Sequence, residues 1–427
     1  MEKFIIQGGK KLSGDIDVRG AKNAAFPLIA AAILTKEDVV IHNLPLIEDV
    51  FRMLEIMQSM EATVDWLAER TVKINTRHLD PSKIDSLKVK RLRGSVVLLG
   101  PLLARFGNVF LARPGGDMIG VRPIDTHLDA FIQLGAKVTQ KKDGVQIDLE
   151  QKIAGKKEVI LNEFSVTATE NILLFAAGTS AQITVKTADF DYQIQELVKV
   201  LQKMGAEITL SGLHALTIKG SIRLKGAVHT LMYDPTEAGT FVLMGAIAPG
   251  EITVKNVEVS FLDLFFKKLK DFGVTFEIAR HKNGLVDIKV SHARNLKIDK
   301  IQCFIYPGIH SDLQSPLGVL ATQSKGPTLL HDPLYAGRLK YLEELNKMGA
   351  EIFLTDPHRA IINGPAKLYG AEVNASDLRG GAALIAAAFI ARGESILTNV
   401  YQVDRGYEKI EERLQKLGAD IKRVVDN

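Results

Sequence analysis

The apolar and polar positions of the chain recur in a long-period pattern. Stretches with apolar side chains at helical spacing, such as residues 197–204, end at a short motif of an apolar residue, Gly and Ala. A predicted strand with alternating apolar and polar residues follows, such as residues 206–210. Glycine at this point favours the left-handed conformation that ends a helix. Copies of this motif lie roughly 70 residues apart, which is typical of a repeated structural unit. They are centred on Glu61, Gly135, Gly205, Gly273, Gly349 and Gly418.

Each repeat also contains a second helix, rich in small and apolar side chains, which precedes a strand. Small side chains let helices approach closely, so we predict that this helix is the buried one of its repeat. The strands that follow it include residues 182–185, 251–254 and 395–397. The small apolar helices are predicted at residues 24–34, 171–177, 239–247 and 382–391.

These elements predict an α/β fold of six β-α-β-α-β units, three to a domain. The chain of 427 residues is too long for one ordinary core, which favours two domains. No linker rich in Pro, Gly and Ser separates them, and we place the boundary near residues 229–234. An open solenoid of such repeats is the alternative, which the chemically different loops of the repeats disfavour.

Composition and charge exclude several classes of protein. Hydrophobic residues make up 46% of the chain and charged residues 24%, as in globular proteins, and a net charge of +4 is too small to indicate nucleic-acid binding. The single Cys303 excludes a disulfide framework, and its neighbours indicate a buried strand position. Neither a leader peptide nor an apolar run of about 18 residues is present, so we expect a cytoplasmic protein.

Several connecting loops place Gly beside Lys, Arg or Asp. We predict that Asn23 caps the helix that follows it, and that Lys22 and the helix N-terminus together hold an anion. A solvated Lys beside a cap is the alternative. The segment 113–125, rich in Gly and Pro, carries Asp117 ahead of Arg122. Arg binds carboxylate or phosphate through two parallel hydrogen bonds, although a plain surface turn would have the same composition.

A further carboxylate and a set of cations complete the candidate chemistry. Asp312 follows a Pro-Gly turn and precedes an apolar helical run, so it is either a helix cap or a general base. No second His or Cys stands at metal-ligand spacing from His310. Clustered cations repel each other and are normally tolerated where an anionic ligand binds. The cations at comparable positions in successive repeats are Lys22, Arg93, Arg122, Arg338, Arg379 and Arg405.

These residues match a known family over essentially the whole chain. The chain resembles the enolpyruvyl transferases that act on UDP-N-acetylglucosamine at the start of peptidoglycan precursor synthesis. The resemblance implies two inside-out α/β barrels, one formed by residues 22–231 and one by residues 1–21 with 232–427, and a mobile loop near 113–123. The matching stretches are GAKNAA at 20–25, LGPL at 99–102, PGG at 114–116, IGVRP at 119–123, YPG at 306–308, SDLQ at 311–314, DLR at 377–379 and DRGYE at 404–408.

The resemblance also implies the reaction and its residues. The enolpyruvyl group of phosphoenolpyruvate would pass to UDP-N-acetylglucosamine with release of phosphate, without a cofactor, a metal, nucleic acid or a membrane. Asp312 would accept the proton of the sugar hydroxyl, Asp117 would protonate the methylene carbon, and Lys22 and Arg405 would act with them. Phosphoenolpyruvate would contact Lys22, Asn23, Arg122, Arg338, Arg379 and Arg405. The UDP-sugar would contact Asn23, Arg93, Arg122, Pro123, Ile124, Asp125, Thr126, Ser165, Val166, Asp312 and Leu334.

Several positions depart from the family pattern. Asp117 stands where typical members carry the Cys that fosfomycin alkylates, so the resemblance implies insensitivity to that drug. Glu163 replaces a Lys, Pro235 an Arg, and Ala336-Gly337 a Glu-Asn pair, and the usual acidic loop is replaced around residues 189–192. The departures fall on the sugar-nucleotide side. Enolpyruvyl transfer to another nucleotide or nucleotide sugar in secondary metabolism, and a homologue that binds ligands without turnover, are therefore the alternatives.

Overall fold

The computed structural model describes residues 2–116, 119–120 and 122–425, and Asp117 lies outside these ranges. Within them the chain forms a mixed α/β fold of small sheets and helices. None of the described helices is both long and apolar enough to cross a membrane.

The helices and strands alternate along the chain as the repeat pattern predicts. The strands are β1 Glu2–Gln7, β2 Leu12–Asp17, β3 Val39–His42, β4 Thr63–Ala68, β5 Thr71–Asn75, β6 Asn108–Ala112, β7 Ala136–Lys141, β8 Gly144–Leu149, β9 Lys156–Ile160, β10 Gln182–Lys186, β11 Glu207–Gly212, β12 Ala215–Lys219, β13 Ala227–Thr230, β14 Gly250–Val257, β15 Phe276–Arg280, β16 Val286–Ser291, β17 Lys300–Gln302, β18 Gly326–His331, β19 Glu351–Asp356, β20 Arg359–Gly364, β21 Glu372–Asn374, β22 Glu394–Thr398 and β23 Asp420–Val425. The α-helices are α1 Lys22–Ala31, α2 Glu48–Ser59, α3 Ser86–Val89, α4 Leu99–Phe106, α5 Asp125–Gln133, α6 Val166–Ala177, α7 Tyr192–Met204, α8 Pro235–Ile247, α9 Asp263–Phe272, α10 Gln314–Ala321, α11 Tyr341–Lys347, α12 Leu378–Ile390, α13 Tyr401–Asp404 and α14 Ile410–Gln415. Short 3-10 helices include Ala32–Leu34, Arg93–Leu98, Ser311–Leu313 and Arg338–Lys340.

The chain forms two compact units. The described residues of 20–116 and 122–232 make up unit A, and those of 1–19, 117–121 and 233–427 make up unit B. The sheets of unit A have the strand orders β13-β3-β5-β4, β6-β8-β7 and β11-β12-β10-β9. Those of unit B have the orders β15-β16-β14-β2, β17-β18-β20-β19 and β21-β22-β1-β23. Strand β1 pairs with β22 and β23, and β2 pairs with β14, so residues 2–17 complete two sheets of unit B.

A repeat contains one strand more than the sequence predicted. In the third repeat β9 lies parallel to β10, β12 lies antiparallel to β10, and β11 forms a hairpin with β12. The predicted β-α-β-α-β unit lacks the second strand of this hairpin. Only residues 213–214 separate β11 from β12, so the alternating pattern reads as one strand rather than two.

The predicted helix ends are confirmed. The glycines after the amphipathic helices all have positive φ, between 87° at Gly135 and 108° at Gly205. Glu61, the copy without glycine, adopts the same region at a φ of 67°. A side chain in this conformation costs roughly 1 kcal/mol, so the repeat geometry outweighs the local preference at Glu61.

The small apolar helices are buried, as predicted. Every residue of α8 is buried, and so is every residue of α12 except the last. In unit B the helices α8, α10 and α12 contact one another, and in unit A helix α6 contacts both α1 and α4. Because α10 and α12 pack together within unit B, their N-terminal ends, which carry Asp312 and Arg379, can approach each other.

Cys303 lies in the core of unit B, where the sequence predicted a buried thiol. The residue is 0% exposed, and its backbone N–H donates to the His331 carbonyl oxygen at 3.0 Å. Burial raises the pKa of the Cys303 thiol well above its usual range. Since the thiolate is the nucleophilic form, this cysteine is chemically inert at neutral pH.

Candidate active site

Asp312 is the centre of a buried ion-pair cluster in unit B. Its two carboxylate oxygens lie 2.8 Å from Nη2 of Arg338 and 2.9 Å from Nε of Arg379. The Asp312 side chain is 13% exposed, against 5% and 2% for the two arginines. One carboxylate from the 3-10 helix before α10 therefore pairs with two guanidinium groups, one at the start of another 3-10 helix and one in the first turn of α12.

Asp312 does not cap the helix that follows it. Helix α10 begins after Leu313 without a side-chain cap, and Asp312 lies inside the preceding 3-10 helix Ser311–Leu313. His310 caps that 3-10 helix, because its Nδ1 accepts a hydrogen bond from the Asp312 N–H at 3.0 Å. The Asp312 carboxylate is directed toward Arg338 and Arg379 instead. The interpretation of Asp312 as a cap is wrong, and the general-base interpretation remains.

Arg379 occupies the first turn of the buried helix α12. Asp377 caps this helix and accepts the Arg379 N–H at 3.0 Å. The guanidinium lies over the ring of Tyr407, 5.2 Å from its centroid. Burial opposes the charge of Arg379, but Tyr407 and Asp312 outweigh it and hold the pKa of the guanidinium above its usual value. Arg379 is therefore a permanently charged group inside the protein.

The two terminal nitrogens of Arg379 lack hydrogen-bond partners among the described residues, although both are buried. Nε donates to Oδ2 of Asp312 at 2.9 Å. Buried polar groups are almost always hydrogen-bonded, so two unused donors of one buried guanidinium indicate a place for a ligand. Their fork geometry matches a carboxylate or a phosphate.

Arg338 and Arg405 lie in the same part of unit B. Arg338 opens a 3-10 helix and its guanidinium lies over the Tyr335 ring, 4.9 Å from the centroid. Burial opposes its charge, but Asp312 overcomes this effect and raises the pKa of Arg338 above its usual value. Arg405 directly follows α13, is 5% exposed, and donates from Nη1 to Gln402 Oε1 at 3.0 Å. Two residues later the chain reaches Tyr407, which contacts Arg379.

A buried aspartate that the sequence analysis missed connects two of these loops. Asp332 is 0% exposed and accepts a hydrogen bond from the hydroxyl of Ser311, next to Asp312. Its other carboxylate oxygen accepts the Leu334 N–H at 3.0 Å. Asp332 therefore holds the loop before Asp312 against the loop that leads through Leu334 to Arg338. The local sequence does not predict this role of Asp332, because an aspartate after a strand is also an ordinary turn residue.

In unit A, Lys22 pairs with an aspartate. Its Nζ lies 2.9 Å from Oδ2 of Asp49, and the two side chains are 8% and 2% exposed. The interpretation of Lys22 as a solvated side chain is therefore wrong, and Asp49 is a partner that the sequence analysis missed. The predicted cap at Asn23 is also wrong. The helix begins at Lys22 after Ala21, so Asn23 is already its second residue.

Arg93, Arg122 and Pro123 lie together in unit A. Nη2 of Arg93 donates to the Pro123 carbonyl oxygen at 3.2 Å. Gly116 has a φ of 123°, and a Cβ built there would lie 2.7 Å from Cβ of Arg93 and 3.0 Å from Nη2 of Arg122. The absence of a side chain at Gly116 therefore lets the segment pass close to both arginines.

The segments 122–126 and 163–166 also meet in unit A. The Thr126 hydroxyl donates to Oε1 of Glu163 at 3.1 Å. Ser165 caps α6, which begins at Val166, by accepting the Ala168 N–H at 3.3 Å. Ile124 directly precedes α5, which begins at Asp125. Glu163, the departure from the family pattern, thus lies beside residues that the resemblance assigns to the sugar nucleotide.

A neutral histidine supports this part of unit A. His127 is 3% exposed, and its ring nitrogens pair with Asn171 Nδ2 at 2.9 Å and Thr167 Oγ1 at 3.1 Å. Burial, assisted by the charge of Arg93, lowers the pKa of His127 to about 3. His127 is therefore uncharged at neutral pH.

The depressed pKa of His127 predicts a stability effect below neutral pH. The unfolded chain binds this proton below a pKa of about 6.5 and the folded chain only near 3, so stability falls as the pH drops through this window. The loss from this group is about 2 kcal/mol at pH 5. His127→Gln should remove that loss, so urea unfolding at pH 7 and pH 5 should change less in the variant. The exposed His281→Gln is the control, and equal pH dependence in all three proteins would contradict the prediction.

The structure brings the predicted residues together within each unit. In unit B, Asp312 contacts Arg338 and Arg379, and Arg405 lies on the segment that reaches Arg379 through Tyr407. In unit A, helix α1, which carries Lys22, packs against the 3-10 helix that begins at Arg93. Among the described residues, no group of three or more His, Cys, Asp or Glu side chains is arranged to hold a metal ion.

Comparison with known proteins defines the class. Residues 6–414 match the family described as EPSP synthase (3-phosphoshikimate 1-carboxyvinyltransferase), and the chain belongs to this family. Among solved structures, the enolpyruvyl transferase NikO from Streptomyces tendae is similar over 100% of this chain and 99% of its own, with a TM-score of 0.88 and 24% identity. EPSP synthase from Acinetobacter baumannii is similar over 100% of both chains, with a TM-score of 0.78 and 18% identity. These two structures share the fold.

Sequence relatives narrow the class further. A UDP-N-acetylglucosamine 1-carboxyvinyltransferase from Treponema denticola is 38% identical over 99% of both chains. Proteins of the same name from Koribacter versatilis and Borreliella burgdorferi are 37% and 36% identical, each over 99% of this chain and over 97% and 99% of their own.

Proposed function

We propose that this protein transfers the enolpyruvyl group of phosphoenolpyruvate to the 3-hydroxyl of UDP-N-acetylglucosamine and releases phosphate, the first step of peptidoglycan precursor synthesis. The observation that carries the proposal is the buried Arg379, whose terminal nitrogens are unused while Asp312 occupies Nε. A small substrate with two anionic groups, a carboxylate and a phosphate, supplies hydrogen-bond acceptors for these nitrogens. Full-length similarity to UDP-N-acetylglucosamine 1-carboxyvinyltransferases supports the choice of substrates.

The proposal assigns a set of cations to phosphoenolpyruvate. Its carboxylate and phosphate are bound by Lys22, Arg122, Arg338, Arg379 and Arg405, and Asn23 contacts it. The sugar nucleotide is bound by Asn23, Arg93, residues 122–126, Ser165, Val166, Asp312 and Leu334. For the fold, the proposal is that the three repeats of each unit close into an inside-out α/β barrel.

Two carboxyl groups move the protons of the reaction. Asp312 accepts the proton of the sugar hydroxyl while the oxygen of that hydroxyl forms a bond to C2 of phosphoenolpyruvate. Asp117 protonates the methylene carbon. The resulting tetrahedral intermediate carries a phosphate on C2. Departure of the phosphate, with loss of a proton from the new methyl group, restores the double bond. The arginines stabilise the negative charge that is redistributed in both steps.

Phosphate release tests the proposal directly. The purified protein is incubated with phosphoenolpyruvate and, separately, with UDP-N-acetylglucosamine, other UDP-sugars and mononucleotides, and phosphate is measured. Release with UDP-N-acetylglucosamine well above every other acceptor supports the proposal. Binding of both substrates without any release would instead identify a homologue that does not turn over.

Glu163 favours a second candidate, enolpyruvyl transfer to another nucleotide or nucleotide sugar. Its carboxylate lies 3.1 Å from the Thr126 hydroxyl, among residues assigned to an acceptor that itself carries negative charge. A like charge at this position disfavours a diphosphate and tolerates a less anionic acceptor. Preferential release of phosphate with such an acceptor, in the same panel, would support this candidate.

Asp117 predicts the response to fosfomycin. A carboxylate is a far poorer nucleophile toward an epoxide than a thiolate, so the unmodified protein should keep its activity during incubation with the drug. Asp117→Cys should stay active, because a thiol can also act as an acid, and should be inactivated over time. Residual activity and the mass of the modified peptide are measured.

Cys303 supplies the control for this experiment, because it is buried. Adding Cys303→Ser to Asp117→Cys should leave the inactivation unchanged. Time-dependent loss of activity in the unmodified protein, with an adduct on residues 113–123, would overturn the assignment of Asp117.

A further inference from the structure

We propose that Arg423, on the last strand of unit B, is a positioning residue for Arg405 and thereby controls the use of phosphoenolpyruvate. The inference rests on the proposed function, which places Arg405 against this substrate. Arg423 is not among the residues that the sequence motifs indicate. It reaches the site through Asp404, the residue that directly precedes Arg405.

Arg423 and Asp404 form a bidentate ion pair. Nη1 of Arg423 lies 2.9 Å from Oδ2 of Asp404, and Nη2 lies 2.6 Å from Oδ1. The two side chains are only 24% and 22% exposed. Paired N–H···O bonds of this kind fix orientation as well as distance, which a lysine could not do.

Two further hydrogen bonds of Arg423 hold the guanidinium itself in place. Nε donates to Oε1 of Glu411 at 2.6 Å, and Nη1 donates to Oε2 of Glu2 at 2.6 Å. The guanidinium also lies over the Phe4 ring, 4.8 Å from its centroid. Phe4 is opposite Arg423 in the register of β1 and β23. The group is thus anchored by two strands and by α14.

This anchor acts on a segment that has little regular structure of its own. Arg405 follows α13, which consists only of Tyr401–Asp404, and helices this short are not stable by themselves. Gln402 is the partner of Arg405 within the segment, at 3.0 Å. The segment packs on α12, and the ion pair between Asp404 and Arg423 adds a connection from the residue next to Arg405 to the sheet. Loss of this ion pair should let the Arg405 guanidinium shift. A displacement of about 1 Å at a binding group can cost about 100-fold in rate.

The test compares Arg423→Gln with a matched control. Arg359→Gln removes another Arg–Asp pair of unit B, the one with Asp356 at 2.8 Å, which lies on β19 and β20. Arg423→Gln should lower kcat/KM for phosphoenolpyruvate about 10- to 100-fold while the KM for the acceptor changes less than threefold. Arg359→Gln should leave both values unchanged. Equal effects of the two variants on kcat/KM would overturn the inference.

A double-variant cycle separates positioning from general stability. If Arg423 acts through Arg405, adding Arg423→Gln to Arg405→Ala should reduce kcat/KM by less than twofold, because the group to be positioned is gone. A structural role would reduce it by the same factor in both backgrounds, and that result would overturn the inference. If Arg423→Gln does not fold, Asp404→Asn and Arg423→Lys replace it, and both should show the same selective loss.

Calorimetric binding of phosphoenolpyruvate, with and without UDP-N-acetylglucosamine, provides a readout that needs no turnover. The proposed function fails if the unmodified protein releases no phosphate with any acceptor. The inference about Arg423 fails if Arg423→Gln and Arg359→Gln bind phosphoenolpyruvate equally well while the unmodified protein releases phosphate. The two failures are therefore distinguished by different measurements.

Discussion

Asp312→Asn is expected to reduce turnover by a factor of about 100 to 10,000, because the amide cannot accept the proton of the attacking hydroxyl. The substitution keeps the shape of the side chain, so substrate KM values should change much less than kcat. It also removes the carboxylate that Arg338 and Arg379 share, at 2.8 and 2.9 Å. Breaking a buried ion pair costs roughly 3–5 kcal/mol, so the melting temperature should fall as well.

Steady-state phosphate release and thermal unfolding, measured on the same samples, separate these two effects. Asp356→Asn is the control, since it makes the same chemical change at an ion pair on β19 and β20. Near-normal turnover in a folded Asp312→Asn variant would place the proton acceptor elsewhere.

Arg405→Ala is expected to lower kcat/KM for phosphoenolpyruvate by about 30- to 4,000-fold. This range corresponds to roughly 2–5 kcal/mol, the cost of truncating one partner of a buried, charged hydrogen-bonded pair. Arg405 is 5% exposed, so water cannot replace it efficiently at the substrate. The effect should appear in the KM for phosphoenolpyruvate and in kcat, and only weakly in the KM for the acceptor.

Initial rates over a range of phosphoenolpyruvate concentrations, at saturating acceptor, give these constants. Arg359→Ala is the matched control, because it removes an arginine of unit B that is more than half exposed and paired with Asp356. Unchanged kinetics in the Arg405→Ala variant would remove Arg405 from the site. A loss of the same size in both variants would indicate a general effect of removing positive charge.

The features that the sequence predicted correctly depend on local patterns. Small apolar helices, such as α8 and α12, and left-handed glycines such as Gly205 follow from the side chains of a few consecutive residues. The second strand of each hairpin was missed, because the turn at residues 213–214 carries no strong signal of its own.

Partners that are distant in sequence could not be predicted from local patterns. Asp49 pairs with Lys22 from another helix, and Asp332 connects loops on either side of α10 and β18. The stacking of Arg379 on Tyr407 likewise joins two repeats. The repeat did indicate that loops at comparable positions would meet, but the identity of each contact depends on the register of packed helices. One candidate, Asp117, lies outside the described residues.

The pairing of β1 and β2 with strands of unit B has a consequence for biosynthesis. Phe4, Ile6, Leu12 and Ile16 are at most 3% exposed once β1 and β2 have joined β22, β23 and β14. On the ribosome β1 and β2 are made before the other described strands, whereas β22 and β23 end at residues 398 and 425, well after β13, the last strand of unit A, ends at residue 230. At about 5–20 residues per second the delay is roughly 8–40 s. Unit A has all its described strands as soon as β13 has emerged, so it can fold while β1 still lacks its partners β22 and β23. Open apolar edges attract other chains, so β1 should benefit from a chaperone until the last strands of unit B are made.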